Sequence, residues 1–224
     1  MNLTLDRLIL IVPAFVIAIA IHEASHAAAA TLLGDSLPRR QGRLSLNPLR
    51  HLDPLGTLTL FLMGFGWGKP VYVNPAEFRI NPITGNALVS FAGPLSNLLL
   101  AALFGLPFRL HMVPGPEALR WTINLGMWAI HPVPALYTFF GVVASINLLL
   151  AVFNLIPLPP LDGFAVLMGV LPRPMALTIA PLARYGPGAL LALFAVSYLL
   201  RLDVIGGIIY PPYEFLRPLV IGLT

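Results

Sequence analysis

Residues 8–33 read LILIVPAFVIAIAIHEASHAAAATLL. The run exceeds the roughly 20 predominantly apolar residues that cross a bilayer as a helix, and Glu23 is its single acid. Within it, His22-Glu23-x-x-His26 fits the H-E-x-x-H pattern, whose histidines share one helix face because they lie four residues apart. Both imidazoles then reach one metal ion, and Glu23 sits beside the remaining coordination position, placed to take a proton from a water there. Each charged group at membrane depth costs at least about 2.5–3.5 kcal/mol on insertion scales. Three adjacent ionisable groups therefore demand a partner, and a bound cation supplies one. The plainer reading is a hydrogen-bonded helix-packing cluster without metal. Arg7 precedes the run, but a signal-peptide core is shorter, about 7–15 residues, and lacks such groups, so the segment reads as a retained span.

Composition agrees with a membrane as the solvent. Of 224 residues, 58% are hydrophobic and 10% charged, against about 25% charged in a soluble domain. The mean hydropathy of +0.86 also excludes a disordered regulator. With no cysteine, disulfides, thiolate zinc sites, iron–sulfur clusters and thiol nucleophiles are excluded, so any metal is held by His, Asp or Glu. A net charge of +4 raises nucleic acid as a partner. The basic residues lie in short gaps between apolar runs, however, and read as topology signals instead.

Two further spans carry no charge, residues 86–106 and residues 136–156, the latter with Asn147 and Asn154. A fourth candidate, 177–200, is broken by Pro181, Arg184, Gly186 and Pro187, and the apolar tail 204–224 crosses, re-enters or lies on the surface. Residues 55–67 are too short to span and read as re-entrant or interfacial. The gap 34–82 holds Arg39, Arg40, Arg43, Arg50, Lys69 and Arg79, whereas 107–135 holds Arg109 and Arg120. Positive charge stays inside, which puts the first gap in the cytoplasm and delivers residues 154–163 to the same side. Asn47-Pro48, Asn74-Pro75 and Asn81-Pro82 divide that gap into short turns, and Lys69-Pro-Val-Tyr-Val-Asn74 reads as a β-segment or hairpin edge. The expected fold is an all-α polytopic bundle of about four to six transmembrane helices with a small membrane-associated β-hairpin near the active site. It forms one domain over 1–224, with core motifs in 8–165 and additional membrane segments in 166–224.

Catalytic zinc usually keeps three protein ligands and an open position, so a third ligand is needed. His51 lies in the basic gap, His111 and His131 lie on the opposite face, and Asp35 and Asp53 sit beside turns and arginines, where solvated or capping roles suit them. Asp162 follows Asn154-Leu-Ile-Pro-Leu-Pro-Pro-Leu161, a proline-stiffened turn just past the third span. His26 lies about 10 Å deep, at 1.5 Å per residue from the inner end of its helix. A turn dipping back into the bundle brings Asp162 to that depth, and irregular backbone is tolerated where protein surrounds it. The alternative for Asp162 is a turn-forming Asp-Gly pair.

Together, His22-Glu23-x-x-His26, then Gly93-Pro94-Leu95-Ser96-Asn97, then Asn154 through Asp162-Gly163 resemble the site-2 protease family of intramembrane zinc metalloproteases, peptidase family M50. Trp67-Gly-Lys-Pro-Val71 with Val73-Asn-Pro75 resembles its short members, and the chain has no room for the PDZ or CBS domains of larger ones. The resemblance implies one Zn2+ held by His22, His26 and Asp162, with Glu23 as general base and then proton donor to the leaving amine. It also implies a transmembrane protein substrate, such as a single-span anti-sigma factor or regulator, cleaved within or near its span. The setting is a multi-pass protein of a prokaryotic cell membrane whose active site faces the cytoplasm. Asn154 is then a support for the metal turn, Gly93 and Pro94 shape helix packing, and Asn97 and Asn147 either support the site or bond between helices. An unwound substrate pairs with the edge carrying Lys69, Val71 and Val73.

Rival readings are a metal-ion transporter using the same ligands, which gives Glu23 no duty, and a catalytically silent binding homologue. Two histidines and a carboxylate also suit iron or cobalt. Serine chemistry lacks support, because Ser25, Ser90, Ser96, Ser145 and Ser197 have no paired histidine outside the metal site. Nothing in the sequence assigns an oligomeric state.

Overall fold

The structure, a computed structural model, describes residues 5–63, 66–112 and 135–222. Most of the gap 107–135, with Arg120 and His131, lies outside the described residues, as does Gly64 of the interfacial stretch. Among the described residues, four helical stretches are long and apolar enough to cross a membrane: Ile9–Leu32, Pro82–Arg109, Leu136–Asn154 and Arg173–Ser197. The first three lie in α1 (Leu5–Leu32), α4 (Pro82–Arg109) and α5 (Ala135–Asn154). The fourth joins α7 (Arg173–Ile179) to α8 (Gly186–Leu199) through a 3-10 turn over Ala180–Tyr185. The prolines and glycine that break the apolar run thus change the winding without ending the rod, since a 3-10 turn accommodates Pro181 near its start. The tail forms α9 (Val204–Val220), capped by the Asp203 carboxylate, which accepts from the Gly206 N–H at 3.0 Å.

α4 is organised inside out relative to a soluble helix. Gly85, Val89, Gly93, Asn97, Ala101 and Gly105 recur every fourth residue and are buried, whereas Leu88, Phe91, Leu95, Leu99, Leu103 and Leu106 on the other face are exposed. Small residues let neighbouring backbones approach, and large apolar ones meet lipid. α4 therefore packs against α1, α5 and α6 (Asp162–Val170). Ala101 and Phe108 of α4 join Ala144, Leu148 and Val152 of α5 and Ile209 and Tyr213 of α9 in one core cluster. Ala14 of α1 meets Val142 and Val143 in another.

Between α1 and α4 lies a lobe of short pieces: α2 (Leu37–Arg40), a 3-10 turn at Pro48–Arg50, α3 (Pro54–Met63) and a 3-10 turn at Pro75–Glu77. Two of the three Asn-Pro pairs open the 3-10 turns and the third opens α4. Asn47, Asn74 and Asn81 accept from the N–H groups of Leu49, Ala76 and Ile83 at 3.0, 3.2 and 2.9 Å, each a side-chain cap before a proline at the first helical position. Asp53 caps α3 through the Gly56 N–H at 2.8 Å, the capping role expected of it. Asp35 caps as well but is fully buried, not solvated, taking the N–H groups of Leu37 and Asn74 at 2.8 and 2.7 Å.

The expected hairpin is absent among the described residues, where only one isolated antiparallel bridge, Leu52 to Gly68, occurs. Residues 69–74 have no regular secondary structure and form no ladder, and Asn74 at their end is extended. Pro70 has no N–H to give, and side chains take the bonds a partner strand would make. The Lys69 and Pro70 carbonyls accept from Arg43, the Val71 N–H donates to Glu23 and the Asn74 N–H to Asp35.

The lobe is clipped to the end of α1 by Glu77. Its Oε2 accepts from the Ser36 N–H at 3.1 Å and the Ser36 hydroxyl at 3.0 Å, and its Oε1 from the Asn74 amide at 3.2 Å. The Ser36 backbone N–H, then its hydroxyl, hold the Glu77 carboxyl below its ordinary value of 4.5. A lowered folded value stabilises fully above the unfolded one and is lost as pH falls through the folded one. The clip is therefore expected to hold from neutrality to about pH 4.5 and to open below it. Protection of the Ser36 amide, followed by hydrogen exchange down to about pH 3, checks this; protection that persists unchanged removes Glu77 from the role.

Candidate metal centre

α1 carries His22 and His26 on the face it turns to α4 and to the start of α6 and points Glu23 at the backbone of Val71 in the lobe that follows α1, and all three are buried. The two imidazole Nε2 atoms lie 3.0 Å apart, and Asp162 Oδ2 lies 3.2 Å from that of His22 and 3.3 Å from that of His26. The proline turn does dip into the bundle. It closes through Leu158 N–H to Ile156 C=O at 2.8 Å and Leu161 N–H to Leu158 C=O at 2.9 Å, and the Pro159–Pro160 peptide is cis. α6 then begins at Asp162, whose carboxylate faces the histidines. Gly163 permits this, because a Cβ there would run into the Leu155 carbonyl.

The Nδ1 atoms decide what the Nε2 atoms can do. His26 Nδ1 lies 2.7 Å from the Val89 carbonyl, an acceptor, so it carries the proton. His22 Nδ1 lies 2.6 Å from Asn97 Oδ1. The Asn97 amide cannot be turned around, because its Nδ2 donates to the Ala18 carbonyl at 3.2 Å and to Asn147 Oδ1 at 2.7 Å. His22 Nδ1 is therefore protonated too. In the neutral rings both Nε2 atoms then present lone pairs to each other and to Asp162 Oδ2, which is buried and has no other hydrogen-bond partner.

Three converging lone pairs are costly unless a cation sits among them. Tetrahedral zinc with ligands at about 2.0–2.1 Å places its donors about 3.3 Å apart, close to the separations seen here. The three residues thus fit one zinc ion, and among the described residues they form the one His/Asp/Glu group with donors in such proximity. Glu23, the residue after the first ligand, is buried beside this group. Its Oε2 accepts from the Val71 N–H at 3.1 Å.

α4 supplies the seat for both rings. Val89, Gly93 and Asn97 lie one turn apart on one face. The Val89 carbonyl holds His26, the Asn97 amide holds His22, and Gly93 leaves the space the rings occupy, since a Cβ on it would lie 2.5 Å from His26 Nε2 and 2.7 Å from His22 Cε1. The structure thus brings His22, Glu23, His26 and Asp162 together, with Asn97 and Asn147 behind them. Val71 arrives by its backbone. Lys69 is held by its backbone, the N–H on the His51 carbonyl at 2.7 Å, and its side chain is exposed. Val73 packs against Ala30, Phe78 and Val89. The Asn154 amide donates to Leu150 C=O of its own helix at 3.0 Å.

Sequence reasoning missed two contributors. Gly93, read as a packing residue, makes room for the ligands. Arg43, read as a topology charge, is buried, and its guanidinium donates to the carbonyls of Arg50, of Lys69 at 2.9 Å and of Pro70 at 2.7 Å. This braces the segment that meets Glu23. Its burial has no signature in a run of arginines. His51 is also fully buried, with Nε2 on the Ser45 carbonyl at 2.6 Å, away from the donor triangle.

Comparison with known proteins identifies the family. "Putative zinc metalloprotease YwhC" of Bacillus subtilis is 38% identical over 189 residues, covering 83% of this chain and 81% of the relative. "Putative zinc metalloprotease Rip2" of Mycobacterium tuberculosis is 31% identical over 189 residues, covering 83% of this chain and 66% of that protein. No solved structure gives a significant match. The model of peptidase family M50 matches residues 10–194, a stretch holding every residue of the donor triangle and its supports, and on that match the chain belongs to peptidase family M50.

Proposed function

We propose that the protein is an intramembrane zinc endopeptidase that hydrolyses peptide bonds within or near the spans of membrane-protein substrates. The observation that supports this best is the buried triangle of His22 Nε2, His26 Nε2 and Asp162 Oδ2 with the Glu23 carboxylate adjoining it. Zinc held there supplies a Lewis acid that polarises a carbonyl and acidifies a water. Glu23 would take a proton from the attacking water as its oxygen bonds to the scissile carbonyl carbon, and return it to the amine nitrogen as the C–N bond breaks. The Val71 N–H steadies the Glu23 carboxylate between these transfers. His22 and His26 keep their protons on Nδ1 throughout, held by Asn97 and Val89. A helical substrate buries its scissile bond in hydrogen bonds and must unwind; the backbone around Val71 and Val73 offers it a strand edge. Water reaches the site from the side of the basic lobe, the cytoplasm under the positive-inside rule.

A transporter built on the same ligands leaves Glu23 idle. The test is a paired measurement of zinc content and cleavage of a model transmembrane substrate in liposomes. Glu23→Gln is expected to retain zinc and lose at least about 10²–10⁴ of the cleavage rate. Asp162→Ala is expected to lose zinc and cleavage together. Wild-type cleavage by Glu23→Gln overturns the assigned base, and zinc passage across the liposome without cleavage by any variant installs the transporter.

A further inference from the structure

Asn147 on α5 makes no hydrogen bond to either histidine, yet it is fully buried and lies at the end of a directed chain. Its Nδ2 donates to the Val143 carbonyl one turn back at 2.8 Å. Its Oδ1 is thereby committed as an acceptor and takes the Asn97 Nδ2 at 2.7 Å. The second Asn97 N–H goes to the Ala18 carbonyl of α1 at 3.2 Å, which leaves Asn97 Oδ1 as the atom facing His22 Nδ1 at 2.6 Å. An amide turned the other way would set an N–H against the His22 N–H and an oxygen against the Ala18 carbonyl. Two backbone carbonyls, which cannot change from acceptor to donor, thus fix the sense of every bond in the chain.

We propose that Asn147 is a positioning residue: by anchoring the Asn97 amide it holds His22 in the tautomer protonated on Nδ1 and so reserves Nε2 for the metal. This rests on the reading of the triangle as a zinc site. Asn147 acts on the metal from α5, a helix that contributes no ligand. It also ties α1, α4 and α5 into one unit around His22, so the packing of three spans is read out as the protonation pattern of one ring. The bland alternative, interhelical adhesion between α4 and α5, accounts for the Asn97–Asn147 bond but not for its polarity or its continuation to the ligand.

The test is the zinc affinity of the full chain in detergent, measured by competition with a chromophoric chelator, with the visible spectrum of the Co2+-loaded protein as a second readout. Asn97→Leu is expected to loosen zinc by about 10–100-fold, the usual cost of removing the group that orients a metal-bound histidine. Asn147→Leu is expected to loosen it by a smaller factor and to perturb the Co2+ spectrum in the same sense. The double variant is expected to match Asn97→Leu alone, because Asn147 acts only through Asn97. Asn147→Asp keeps an acceptor for Asn97 whether or not it is protonated, and is expected to bind zinc nearly as the wild type does. Asn147→Ala adds no volume to the α4–α5 seam and is expected to behave like Asn147→Leu should leucine prevent folding. Wild-type affinity in folded Asn147→Leu or Asn147→Ala overturns the proposal, as do effects that multiply in the double variant. A merely adhesive role lowers thermal stability in the Leu and Ala variants without separating them from Asn147→Asp in zinc affinity. Failure of the zinc site itself is distinguishable, since wild type would then show no affinity for Asp162→Ala to reduce.

Discussion

Alanine at position 93 is expected to weaken zinc binding by about 10–100-fold and to slow cleavage by at least about 10²-fold. The added methyl would lie 2.5 Å from both Cε1 and Nε2 of His26 and 2.7 Å from Cε1 of His22, well inside van der Waals contact. Neither ring has an easy retreat. Each is tied by its Nδ1 to α4, on Asn97 at 2.6 Å and Val89 at 2.7 Å, and Asp162 Oδ2 closes the far side. Relief therefore requires breaking an Nδ1 bond or moving α4 outward. Losing one orienting bond costs about 10–100-fold in metal affinity, and displacing reacting groups by about 1 Å costs about 10²-fold in rate. Zinc stoichiometry after dialysis and the cleavage rate of Gly93→Ala check this. A folded Gly93→Ala protein with full zinc and full activity would show that α4 does not seat the rings as described.

Arginine 43 should give the opposite signature, with zinc kept and activity lost. Arg43→Ala strips donors from the carbonyls of Arg50, Lys69 and Pro70, at about 0.5–1.5 kcal/mol for each hydrogen bond lost. Part of that is recovered where water enters the lobe. What remains is enough to free residues 69–71, and with them the Val71 N–H that meets Glu23. The ligands stand on α1 and α6, outside the lobe, so zinc is expected to stay. Cleavage is expected to fall about 10²-fold, the order seen for misplaced catalytic groups, and limited proteolysis to gain sites between residues 43 and 74. Arg43→Lys should rescue little, because an ammonium has no planar fork to span several carbonyls. Parallel loss of zinc, or unchanged cleavage by Arg43→Ala, would refute this division of labour.

How much of this was legible beforehand depended on whether a residue broke its surroundings. His22, Glu23 and His26 stand out because ionisable groups in an apolar run are expensive, and Asp162 because a proline turn gave its carboxylate a reason to be deep. Asn97 and Asn147 were visible as amides in spans, but the sense of their bonds depends on backbone carbonyls that no sequence displays. Arg43 was hidden by its neighbours, since Arg39, Arg40 and Arg50 share its chemistry and only tertiary packing buries this one. The stretch from Lys69 to Asn74 misled in the other direction. Its alternation of Val and Tyr is that of a strand, yet Pro70 has no N–H and four partners outside any ladder take backbone groups of Lys69, Pro70, Val71 and Asn74, so no hairpin forms there. Asn154 sits within the motif region but spends its amide on its own helix.

The four-residue spacing of Val89, Gly93 and Asn97 against His22 and His26 also works as a registration mark between two helices. Sliding α4 along α1 by one turn would bring the side chain of residue 89 or 97 to the place where only glycine fits, and would leave one imidazole without its acceptor. Leucine-faced helices in lipid have few other means of telling one vertical offset from the next. The site that performs the chemistry therefore also indexes the bundle, and removing the metal should loosen the alignment of α1 with α4 as well as the reaction.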